Sequence, residues 1–115
     1  MKTFLAVYVG SPSAMAKWEK LPKAEQDDRM TRGIGAWKAW AQRHESSIVD
    51  MGGPLGRTKQ VTAAGLADIR NAMTGYTLVK AESQKAAARL FLEHPHFTIF
   101  PGEGVEVMEV LPIPG

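Results

Sequence analysis

The chain contains no cysteine. Disulfide frameworks, thiol nucleophiles and thiolate metal sites are therefore excluded, and a reducing, cytoplasmic setting is expected. No stretch approaches the roughly 18 apolar residues that a membrane span needs. The N-terminal run from Phe4 to Val9 is too short for the central region of a signal peptide. Charge of one sign is scarce in excess: 14 Lys and Arg against 12 Asp and Glu leave a net +2. The cations are dispersed, so neither nucleic acid nor a membrane is an expected partner. P-loop, dinucleotide, nucleophile-elbow and zinc-protease signatures are all missing.

What is present is the balance of a folded chain: 115 residues, 44% apolar and 23% charged. One domain spanning residues 1–115 is expected, with a core of modest size. Lys2 to Val9 is rich in β-branched and aromatic residues and stops at Gly10, which predicts a strand. Ser11 ahead of Pro12 predicts a helix start. Pro22, followed by Glu25, Asp27 and Asp28, predicts a second, longer helix with acids at its positive end. Met30, Ile34, Trp37, Ala41 and His44 then recur at steps of four and three, one helical face. Gly33 and Gly35 interrupt that helix and imply a close neighbour such as the sheet.

Strands are expected at Ile48 to Met51, Thr58 to Thr62, Tyr76 to Ala81 and Val105 to Val110. Residues 63–74 are unassigned. Ser83 is expected to cap a helix carrying Ala87, Leu90, Phe91 and His94 on one side, which Pro95 ends. The order is βαββαβ, an α+β, ferredoxin-like antiparallel sheet with both helices on one face. The chain has no residues left for a third layer. A second copy covering the bare sheet face is the economical solution, so a homodimer is expected.

The stretches MKTFLAVYVGS, GGPLGRTKQV, GYTLVKAES ahead of an alanine-rich helix, HP, and VEVMEVLPI together resemble the YCII-related family, in its branch named for a D-G-P-F turn. Gly53, Pro54 and Lys59 match that branch. Gly52, Leu55 and Gln60 stand where it has aspartate, phenylalanine and glutamate. The resemblance implies a dimeric α/β barrel of ferredoxin-like subunits, whose relatives include muconolactone isomerases and a dehydrochlorinase. It also implies a histidine and an aspartate in a cleft beside the sheet. The family's histidine position falls near Gly35 to Trp37 here, and His44 is the only histidine on that helix.

His44 is the candidate proton carrier, since its ordinary pKa lies near neutrality. Asp50 would orient it, and Trp40, one turn earlier, would wall the cleft. The plain alternatives are a helix-end cation at His44 and an aspartate bonding its own turn at Asp50. Gly52, Gly53 and Pro54 would form a rim that admits a ligand close to backbone, with Arg57 or Lys59 as countercharge. Trp37 is expected in the core. Met15, Met30, Met51, Met73 and Met108 are expected to fill gaps in the core or the dimer seam. His94 and His96 lack a third ligand of suitable spacing, so no metal site follows, and His94 is expected at a helix end. No redox or organic cofactor is implied. The expected activity is an isomerase or lyase acting on a small anionic organic molecule. A dimer that binds a small ligand or another protein without catalysis is the alternative.

Overall fold

The computed structural model describes residues 1–114. Strand β1 (Lys2–Gly10) is followed by α1 (Pro12–Glu19) and the long α2 (Lys23–Arg43). A short 3-10 turn leads into β2 (Ile48–Pro54), then β3 (Thr58–Thr62), β4 (Gly65–Ile69) and β5 (Met73–Ala81). Two short helices, α3 (Gln84–Arg89) and α4 (Pro95–Thr98), precede β6 (Gly102–Glu109). Four strands form an antiparallel sheet in the order β2-β5-β1-β6, while β3 and β4 pair only with each other. This is the ferredoxin-like βαββαβ arrangement with a hairpin inserted between its second and third strands.

Local chemistry explains the element starts. Ser11 accepts the Ala14 N–H at 3.1 Å ahead of Pro12, and Ser83 accepts the Ala86 N–H at 3.1 Å. Both satisfy donors that a helix leaves open at its first turn. On α2, ion pairs between Lys23 and Asp27, Arg29 and Glu25, and Arg32 and Asp28 link successive turns along the solvent face.

Alternation along the strands divides the sheet into two faces. Phe4, Ala6, Tyr8, Val79 and Ala81 point to the helices and form the core with Trp40, Ala87 and Phe91. The opposite face carries Leu5, Val7, Tyr76, Leu78 and Met108, aligned by the β1–β5 and β1–β6 registers. The molecule is only 18 Å thick along its shortest axis, one helical layer on one sheet. No helix among the described residues is long and apolar enough to cross a membrane.

Several boundaries differ from the sequence expectation. The Gly-Gly-Pro segment is not a turn: β2 continues through it to Pro54, with register breaks between Ile48 and Asp50 and between Asp50 and Gly53. Gly52 sits at φ +64°, and a Cβ there would run into the Tyr76 carbonyl oxygen. A bulge in an edge strand, not chain reversal, is what the glycine serves. Residues 63–74, unassigned from sequence, supply β4 and the start of β5. The helix expected up to His94 stops at Arg89, and Pro95 begins α4 instead of ending α3. Gly33 is met by the ring of Phe100 and not by the sheet. None of Met15, Met30, Met51, Met73 or Met108 is buried.

Candidate functional site

A cavity of about 670 Å3 opens between α2 and the β2–β5 end of the sheet. Helix α2 contributes Met30, Ile34, Trp37 and Lys38; β2 contributes Met51, Gly52, Gly53 and Pro54; β5 contributes Thr74 and Gly75. Tyr8 from β1, His96 from α4 and Phe100 complete the lining. The wall is almost wholly apolar. Lys38 is its one residue with a full charge, and His96 its one imidazole.

His96 is buried, and its Nε2 lies 2.8 Å from the Val9 carbonyl oxygen. A carbonyl only accepts, so the ring proton sits on Nε2 and Nδ1 keeps its lone pair. Burial pushes the His96 pKa below 6.5, partly offset by the Val9 bond. The imidazole is thus held neutral near pH 7, in its base form.

Tyr8 also faces the cavity, but its proton is committed. Thr77 Oγ1 donates to the Met51 carbonyl at 2.9 Å, so the 2.7 Å contact between Tyr8 and Thr77 has the phenol as donor. Burial raises the Tyr8 pKa to about 12. The phenol is a fixed floor with no proton to spare.

Behind the cavity wall lies His94, fully buried. Its Nδ1 accepts the His96 backbone N–H at 3.0 Å, and its Nε2 has no partner among the described residues. The ring stands T-shaped to Trp37 at 4.4 Å and to Trp40 at 4.6 Å, and 5.1 Å from Tyr8. Burial, followed by repulsion from His96 and His44, lowers its pKa to about 3. Because that value lies below the ordinary 6.5, the unfolded chain takes up protons first as the pH falls. The stability tied to neutral His94 is fully present above about pH 6.5 and drains as the pH approaches 3, by up to about 1.4 kcal/mol per pH unit. His96 acts in the same direction. Thermal melts should therefore give a lower Tm at pH 4.5 than at pH 7, with a smaller drop in a His94→Asn variant. Identical drops in the two proteins would contradict this.

The residues singled out from sequence separate into three places. Gly52, Gly53 and Pro54 do line the cavity. Trp40 does not: it is 1% exposed, packed in the core with its indole N–H donating to the Leu90 carbonyl at 2.7 Å. Trp37, expected in the core, packs against it and also lines the cavity. At 100° per residue, Trp40 lies about 60° around α2 from Trp37, and the Met30–Ile34–Trp37 stripe edges the cavity.

His44 ends α2 beneath Trp40, ring centres 5.4 Å apart, and is absent from the cavity lining. Burial and the neighbouring Arg43 lower its pKa, the opposite of what an orienting carboxylate would do. No hydrogen bond or ion pair joins His44 to Asp50. Asp50 instead accepts the Gly52 N–H at 2.8 Å, bracing the bulge. Arg57, just ahead of β3, and Lys59 on β3 line a separate recess, where Lys59 pairs with Asp68 at 2.6 Å. Neither is among the residues that line the apolar cavity.

His96, Tyr8 and Lys38 were missed. The signal for His96 was available in the chain: Ser11–Pro12 opens one helix and His94–Pro95 opens another in the same way, which puts the next histidine on a helix start. His94 is thus at a helix end, but as the cap of the helix that follows it.

No family model matches the chain, and no curated protein matches it. Among solved structures it is similar to the 5-chloro-2-hydroxyhydroquinone dehydrochlorinase TftG from Burkholderia phenoliruptrix AC1100, solved in complex with 2,5-dihydroxybenzoquinone. The two share 16% sequence identity and superpose with a TM-score of 0.53, over 92% of this chain and 90% of that one. The likeness is one of fold: a mixed α+β chain built on an antiparallel sheet.

Proposed function

We propose that this chain is a cytoplasmic acid–base enzyme of the isomerase or lyase kind, acting on a small, planar, ring-containing anion. The observation that carries the reading is the neutral His96, anchored to Val9, in an otherwise apolar recess. In this reading Nδ1 takes a proton from an acidic carbon of the ring. The C–H electron pair passes into the ring as an enolate, and Nε2–H keeps the resulting imidazolium anchored to Val9. The proton then returns at a second carbon, or the enolate expels a leaving group such as chloride. Lys38 at the rim offsets the negative charge, and Trp37, Tyr8 and Phe100 supply aromatic faces against which a flat ring packs. The His44–Asp50 couple, which the YCII-type resemblance suggested, is replaced by His96.

Support from outside the cavity comes from that resemblance and from the dehydrochlorinase neighbour, which binds a dihydroxyquinone. The same reading pairs two copies through the uncovered sheet face. Sedimentation should give twice the chain's mass, and Leu78→Glu, placing a charge among Leu5, Tyr76 and Met108, should split the pair. A monomeric wild-type chain would contradict the pairing.

A non-catalytic binding role is favoured by one observation, the commitment of the Tyr8 proton to Thr77, which leaves no side-chain acid on the cavity floor. The two readings separate in heavy water. With 2,5-dihydroxybenzoquinone as probe, both give saturable quenching of Trp37 fluorescence. Only the enzyme reading gives His96-dependent deuterium wash-in at a ring carbon. It runs through the probe's keto tautomer: a hydroxyl deuteron moves to the ring carbon, and Nδ1 takes the proton from the resulting sp3 carbon beside the carbonyl. Absence of saturable quenching would remove both.

A further inference from the structure

A histidine is an odd choice for the position behind the cavity wall. Its fully buried Nε2–H has no conventional acceptor among the described residues, and an unmade bond of that kind is costly. Phenylalanine would fill the aromatic space without that cost, and aspartate or serine would cap α4 as well. Only histidine does both. It offers a flat ring that packs against Tyr8, Trp37 and Trp40, and it has an acceptor nitrogen within 3.0 Å of the His96 N–H.

We propose that His94 is the positioning residue of His96, setting both the backbone and the tautomer that the cavity base requires. Helix α4 has only four residues, too few to hold its own shape. Pro95 fixes the first φ, and the His94 ring supplies the bond that brings the His96 backbone into the helical turn. From there the His96 ring reaches the Val9 carbonyl, and Nδ1 is left free. Because Nδ1 of His94 is spent on that bond, its own proton sits on Nε2, buried without an acceptor among the described residues. The same three aromatic contacts keep the His94 ring from turning over. The functional meaning rests on His96 being the cavity base; the positioning itself does not.

The test uses the full chain and nitrogen NMR of the histidine rings. In the wild type, His94 should carry its proton on Nε2 and leave Nδ1 unprotonated, as should His96; an Nδ1–H tautomer at His94 overturns the proposal without any mutation. His94→Asn retains a capping acceptor, and His94→Phe retains the aromatic volume without one. The phenylalanine variant should speed exchange of the His96 amide about tenfold and mix the His96 tautomers. The asparagine variant should leave both close to wild type. Unchanged exchange and tautomer in folded His94→Phe overturn the proposal, as does equal loss in both variants. Should 2,5-dihydroxybenzoquinone fail to bind the wild type while these signatures hold, the enzyme reading fails and the positioning stands.

Discussion

Trp40→Ala is expected to cost about 3–5 kcal/mol of folding stability, the range for removing a large aromatic from a core. At this chain length that lowers Tm by roughly 15 °C. The cost has two parts. The indole is 1% exposed and touches Phe91 and His94, so its loss opens a void that the sheet and helices cannot close. It also strands the Leu90 carbonyl, which accepts the indole N–H at the point where the chain leaves α3. Trp37→Ala is the control. Trp37 is only half-buried and lines the cavity, so the expected stability loss is smaller and the loss of quinone binding larger. Thermal melts and fluorescence titrations of the two variants read this directly. Similar melting temperatures for both would mean that the face of α2 has been placed wrongly.

His96→Gln is expected to lower deuterium wash-in at the ring carbon about 10²–10⁴-fold, the usual contribution of a positioned acid–base group. Glutamine keeps an N–H that can reach Val9 and deletes the basic nitrogen, so binding of the quinone should survive. The pH dependence carries a sign. Burial lowers the His96 pKa, so the rate should rise with pH on an acid limb below the ordinary histidine range and be flat by neutrality. His44→Ala should leave both the rate and that limb unchanged. A His44 variant that loses the rate would restore the helix-end histidine as the base.

The fold was legible because its signals are redundant. β1 is a dense β-branched and aromatic run, two serines stand at helix starts, and the long α2 has an unmistakable period. The site was less legible for a physical reason. Helix α2 has two apolar sectors, one for the core and one for the cavity, and hydrophobic periodicity does not say which is which. Met30, Ile34 and Trp37 mark the cavity edge, while Trp40 marks the core, with Ala41 packed against it. Asp50 was legible in its plain role, as a carboxylate bonding the backbone just after it. The hairpin's second strand was hidden because Ala63 and Ala64 at its tip carry none of the usual turn chemistry. His96 was hidden because a histidine beside a proline was weighed for metal spacing, whereas what matters is a sheet carbonyl, Val9, far away in sequence.

The chain has three histidines, so one nitrogen-detected NMR titration with 2,5-dihydroxybenzoquinone interrogates every candidate at once. Binding in the cavity should move the ring signals of His96 most, His94 less, and leave His44 where it was. A ligand that shifts His44 and leaves His96 untouched would place the site at the end of α2 and contradict the account.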